Sequence, residues 1–209
     1  AGLTHSNDTT GKDKKRYGFR HFFNAYMSGA ALAPVLVKEY GADRKAYHLK
    51  ITDARRDILA YTTEPMTEPL TFAGPLSAVL YASSSARDTD WFVRLMEIDE
   101  AGEVFQLVEG KIRARFRRST KKAEFLEPGK VYEYAIDLWQ SGITIPVGNR
   151  LRVEVASASF PLFSRNLNTG GHNEMDTAYV PAEQTIYHSA KYPSHILLPV
   201  IADVVEKSP

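Results

Sequence analysis

The sequence predicts an all-β fold, a jelly-roll β-sandwich preceded by an N-terminal extension that carries a short helix. Three observations carry this. From about Arg55 onward, apolar residues recur at every second position instead of every third or fourth. The alternating runs are short and are punctuated by Pro, Gly and Asn. There is no alternation of strand and helix patterns, which a parallel α/β sheet would require. Roughly eight to ten short strands joined by turns is the pattern of a sandwich or jelly roll.

Residues 1–54 form the extension, whose polar start is expected to be partly mobile. Within it Phe19, Phe22, Phe23, Tyr26, Met27 and Ala30 share one face at helical spacing. They predict a helix over about 19–33 that Pro34 stops. The jelly roll is expected over 55–209. Its first strand is Ile58–Thr63, followed by Leu76, Ala78, Leu80 and Ala82 in alternation. Trp91–Ile98 and Val104–Val108 flank Ala101-Gly102 as a hairpin. Ile112, Ala114 and Phe116 alternate with Lys111, Arg113, Arg115 and Arg117. Val131–Trp139 follows the Pro128-Gly129 turn, and Leu151, Val153 and Val155 follow a turn at Pro146–Asn149. Gln184–His188 and His195–Ile201 close the fold. Leu80, Ile136, Leu138, Leu151, Val153, Val155 and Leu198 are the expected core, and Trp91 and Trp139 are expected to pack within it.

Composition narrows the chemistry. The 209 residues carry 26 Lys plus Arg against 25 Asp plus Glu, a net charge of +1. That balance lacks the basic surplus that general nucleic-acid binding needs. With no cysteine there is no disulfide, thiolate zinc site or cysteine nucleophile; this fits the cytoplasm, although localisation stays open. The longest apolar run, Ala30–Val37, contains Pro34 and is far shorter than the ~20 residues of a membrane span. The polar start lacks an initiator Met and a signal-peptide core, as expected of a piece of a longer chain. A homo-oligomer stays open.

Catalytic motifs are missing. G-x-S-x-G is absent, and Ser83-Ser84-Ser85 is expected to cap a strand end. His5, His21, His48, His172, His188 and His195 show no metal-ligand spacing, although His188 and His195 flank one loop. Asp88 and Asp90, with Glu97 and Asp99, suggest an oxygen-ligand cation site, but capping of turn amides is favoured. No cofactor or metal is expected. Lys111–Lys122 carries seven basic residues in twelve. It is expected to be a solvated face, neutralised by Glu97, Asp99, Glu100, Glu103 and Glu109 on paired strands. The most unusual segment is Phe160–Gly171, which combines aromatics, an Arg, two Asn and a Gly pair after a strong strand. An Ω-like structural loop and a recognition surface both fit it. Phe160, Phe163, Arg165, Asn166 and Asn168 are its candidate contact residues.

Five segments in order resemble a known domain: TTEPMTEPLTFAGP (62–75), LYASSSARDTDWFVRLMEID (80–99), LEPGKVYEYAIDLW (126–139), GNRLRVEVASASFPLFSRNLNTGG (148–171) and QTIYHSAKYPSHILLPVI (184–201). This is the C-terminal domain of the X-prolyl dipeptidyl-peptidase, cocaine esterase and α-amino-acid ester hydrolase family. The resemblance spans about Arg55–Ile201 and leaves residues 1–54 unmatched. It implies a galactose-binding-like jelly roll attached to an upstream α/β-hydrolase domain, absent from this chain, that holds the Ser-His-Asp triad. No triad residue maps onto any position here. The implied role is non-catalytic: to pack on the hydrolase domain and shape the cleft that takes acyl esters or X-Pro peptides. The five residues above would face the cleft or the domain interface. The alternative is a carbohydrate-binding module, whose sugar platform would need Trp91 or Trp139 exposed.

Overall fold

A computed structural model describes residues 55–201. The helix expected over 19–33, the rest of the extension and His5, His21 and His48 lie outside the described residues. Among the described residues nine strands form two antiparallel sheets: β1 (Ile58–Thr62), β2 (Leu70–Ser84), β3 (Asp90–Ile98), β4 (Val104–Arg113), β5 (Tyr132–Ile145), β6 (Arg150–Ala156), β7 (Gln184–Ser189), β8 (Tyr192–Pro193) and β9 (His195–Leu197). One sheet has the order β1-β6-β3-β4, and the other runs β5-β2-β7-β8 with β9 also paired to β2. The chain crosses between the sheets after β1, β2, β4, β5 and β6, as in a β-sandwich.

Alternation explains the layers. Phe72, Leu76, Ala78 and Leu80 of β2 and Tyr134, Ile136 and Leu138 of β5 line the inner face of one sheet. Trp91, Val93 and Leu95 of β3 and Leu151 and Val155 of β6 line the other. Rings of Trp91 and Tyr134 meet across the core at 5.8 Å. The β3–β4 hairpin turns at Gly102, whose φ of 83° favours glycine, and Asp99 accepts the Glu103 amide through its carboxylate at 2.7 Å. Ser84 and Ser85 cap as expected, accepting the amides of Ala86 and Glu183.

Four expectations change. The Ile112–Phe116 run is the end of β4 followed by a 3-10 turn at Ala114–Phe116, with Ala114 fully buried. The last strand stops at Leu197, because Pro199 has no amide to donate and only a bridge from Val200 to Phe72 follows. Val153 and Leu198 are half-buried instead of buried. Trp91 is buried, but Trp139 is 72% exposed. In the β2–β5 ladder Pro75 faces Gln140 and Ser77 faces Asp137, so Leu138 and Trp139 together oppose Leu76 in a β-bulge. Trp139 takes φ 68° there, and its amide donates to the Asp137 carboxylate.

The β4–β5 edge closes tightly. A Cβ on Gly110 of β4 would overlap the Asp137 carbonyl of β5 and crowd the Leu138 side chain. Backbone cannot move aside as a flexible side chain does, so Gly110→Ala should destabilise the domain by about 2–3 kcal/mol in urea unfolding followed by circular dichroism. An unchanged midpoint would mean that the two sheets are not in contact at this edge.

Candidate functional site

Residues 157–183 join β6 to β7 without strand or helix. Structureless connections beyond about 12–15 residues are uncommon in compact domains and are often functional. This one is ordered by charge. Asp88 in the β2–β3 turn is fully buried and Asp90 at the start of β3 nearly so. Asp90 takes a two-pronged contact from Arg113, Nε at 2.8 Å and Nη2 at 3.0 Å. Asp88 accepts the Arg115 backbone amide at 3.1 Å and lies 3.4 Å from its Nε. Asn166 Nδ2 donates to both carboxylates, at 3.0 Å to Asp88 and 2.8 Å to Asp90. Two acceptor groups facing one amide set its orientation. Burial pushes the Asp88 carboxyl above the usual carboxylate range, while the Asn166 hydrogen bond and the Arg115 charge pull the other way.

From Asn166 the loop is held link by link. Its Oδ1 accepts the Asn168 amide at 2.9 Å, and Asn168 sits at φ 63°, a conformation asparagine tolerates. Asn168 Nδ2 donates to the Val180 carbonyl, and Arg115 Nη1 donates to the carbonyls of Gly170 and Gly171 at 2.9 and 3.2 Å. Phe163 packs on Phe92 with centroids 5.5 Å apart and lies beneath the Lys111 ammonium. At the loop's root, Arg94 donates to Ser159.

These contacts correct the expectation for the basic stripe. Arg113 and Arg115 are not a solvated face balanced by the acids around the hairpin turn. Their partners are Asp90 and Asp88, while Arg117 donates to the carbonyls of Ala114 and Glu124. Asp88 and Asp90 thus direct their acceptors to Arg, Asn and a backbone amide.

The five expected site residues divide. Asn166 and Asn168 are internal ties, with partners the sequence did not reveal, and Phe163 is half-buried. Phe160, 63% exposed, and Arg165 point outward, the guanidinium 5.0 Å from the Phe160 ring. Two further exposed residues were missed: Met175 at 81% and Tyr179 at 71%. The loop's return limb is tied back by the Ser164–Glu174 hydrogen bond and by Asn168 Nδ2 on the Val180 carbonyl, next in sequence to Met175 and Tyr179 respectively. An apolar residue in a stretch without alternation was their only sequence signal.

Comparison with known proteins fits this architecture. Residues 2–197 match the family described as the X-Pro dipeptidyl-peptidase C-terminal non-catalytic domain. The chain belongs to that family. The match extends well before Arg55, where the resemblance in the five segments begins. Cocaine esterase from Rhodococcus sp. (strain MB1 Bresler) is 36% identical over 162 residues, covering 77% of this chain and 27% of its own length. An α-amino acid ester hydrolase structure superposes with TM-score 0.70 at 32% identity, over 73% of this chain and 27% of that one. An aminopeptidase from the marine sediment archaeon Thaumarchaeota archaeon gives 0.68 at 34%, over 76% and 27%. The chain therefore spans about a quarter of the length of each of these relatives. The domain is a β-sandwich of the non-catalytic kind, as the resemblance implied.

Removing the shared donor tests the anchoring. Asn166→Ala should cost about 1–3 kcal/mol, the range for leaving buried acceptors short of a partner. It should also accelerate amide hydrogen exchange at Asn168, Gly171 and Val180. Asn166→Asp, which brings a third carboxylate to the pair, should cost more than the alanine. Equal stability of all three proteins would show that the loop is held by other contacts.

Proposed function

We propose that this chain is the accessory domain of a serine hydrolase that acts on acyl esters or X-Pro peptides. It would seat on an α/β-hydrolase domain through the 157–183 loop and complete one wall of the substrate cleft. The observation that carries the reading is a connection pinned by buried charges that nevertheless exposes Phe160, Leu162, Met175 and Tyr179 as well as Arg165. Aromatic, Met and Arg side chains are enriched in protein interfaces, and a preordered surface loses less entropy on docking. Cocaine esterase and the α-amino acid ester hydrolase support the reaction class by their names.

The chain alone should not turn over p-nitrophenyl acetate or an X-Pro anilide. In a polypeptide joining this chain to its hydrolase domain, Phe160→Ala with Arg165→Ala should weaken docking by about 1–3 kcal/mol. The measured signs would be a lower Tm and a higher KM, with unchanged labelling of the nucleophile by a small acyl phosphonate. Unaltered Tm and KM would reduce the loop to a surface turn.

A second reading, carbohydrate binding, is favoured by one observation: Trp139 is displayed where packing was expected. A Trp at positive φ is rare, and such strain concentrates at functional positions. Trp139→Gly should raise stability by about 1 kcal/mol by relieving it. On this reading the same variant loses retardation in gels containing galactan or cellulose. No retardation of the unmodified chain removes the reading.

A further inference from the structure

The outer face of the β3–β4 pair carries two cations whose charges are unequally matched. The register sets Phe92 opposite Lys111 and Asp90 opposite Arg113. Lys111 and Arg113 therefore stand on one face of β4, about 7 Å apart along the strand. With Phe92, Phe116 and Phe163 they line a hollow of about 330 Å³. Phe163 comes from the outgoing limb of the 157–183 loop and packs on Phe92, and the Lys111 ammonium lies 2.9 Å above its ring. Three walls are aromatic, and the loop supplies one of them.

Among the described residues, the carboxylates near this hollow are engaged. Asp90 accepts Arg113 through both oxygens and Asn166 through one. Glu109 accepts Arg94 Nε, and Glu174 accepts the Ser164 hydroxyl at 3.0 Å. Arg94, Arg113 and Arg115 each have a carboxylate within 4.0 Å, whereas Lys111 has none among the described residues. Burial draws the Lys111 pKa below the usual lysine value, against the pull of Glu109 and Asp90. A ring face serves only one side of an ammonium that has three protons to donate. Arg113 commits Nε and Nη2 to Asp90, which leaves Nη1 for a second acceptor. One further carboxylate here would meet both cations, with its methylene stem against the phenyl rings. The hollow adjoins the limb that exposes Phe160, Leu162 and Arg165, and the chain covers only 27% of its relatives, so the occupant at hand is the hydrolase domain.

We propose that an Asp or Glu of the hydrolase domain enters this hollow and pairs with Lys111, which fixes the register of docking. This rests on the reading of the loop as the docking surface. A water-soluble carbodiimide, applied to the polypeptide joining this chain to its hydrolase domain, tests it. The reagent adds a carboxyl group as an O-acylisourea, the Lys111 amine attacks that carbonyl carbon, and the urea leaves as the amide forms. Peptide mapping should find Lys111 linked to an Asp or Glu outside this chain. Acetylation of Lys111 should be about tenfold slower in the joined polypeptide than in the isolated chain, because a paired ammonium has to break its contact first. Lys111→Glu should lower Tm more than Lys111→Met, which keeps the stem over Phe163, and this excess should be larger in the joined polypeptide. The proposal is overturned if Lys111 links only to Glu109 or Glu174 or not at all, if its acetylation rate is unchanged, or if the excess is equal in both proteins. Hydrogen exchange separates the two readings: loop amides that gain protection while Lys111 does not leave the docking surface standing and remove this pairing alone. No protection of either removes both.

Discussion

Two carboxylates withdrawn from water, Asp88 and Asp90, organise one end of this molecule. A buried carboxylate needs donors, and these draw theirs from two distant stretches of chain. Arg113 comes from the end of β4, Arg115 from the 3-10 turn that follows, and Asn166 from the β6–β7 connection. Meeting that demand forces the β2–β3 turn, the β4 terminus and the long loop into one arrangement. Charge pairs of this kind contribute little net stability compared with apolar packing, but a wrong arrangement leaves a charge unpaired. Here they specify position.

That specification links the fold to the proposed role. A connection with no secondary structure would normally lose substantial conformational entropy when a partner covers it. Arg115 on the Gly170 and Gly171 carbonyls, Asn168 on the Val180 carbonyl and Arg94 on Ser159 remove most of that freedom beforehand. Outward-facing side chains such as Phe160 and Tyr179 are then held on a firm base. The opposite edge of the sandwich works differently, with a gap between sheets, lined by Val153 and Ile186, where the other edge is sealed at Gly110.

Strands were legible because a half-buried sheet imposes a period of two, and the turns because Gly102, Gly129 and Gly148 adopt positive φ. Partners of charged residues were less so. The basic run at the end of β4 was only partly legible: the hairpin at Ala101-Gly102 brings Asp90 near Arg113, but a bulge between Leu95 and Met96 shifts the register before that pair is reached. Asn166 could not have been placed, since its contacts lie 76 and 78 residues away across an irregular loop. Trp139 escaped because it stands on an edge strand within a bulge, where alternation gives no information about cover. The half-burial of Val153 depends on the spacing between two sheets, which no single strand encodes.

The most direct measurement of the central claim is hydrogen exchange on the loop, with and without the hydrolase domain attached. The account predicts that amides of 168–171 are already protected in the isolated chain. Those of 162–165 and 175–179 should gain protection when the hydrolase domain is present. Unchanged exchange across 160–180, with new protection elsewhere on the sandwich, would contradict the assignment of this loop as the docking surface.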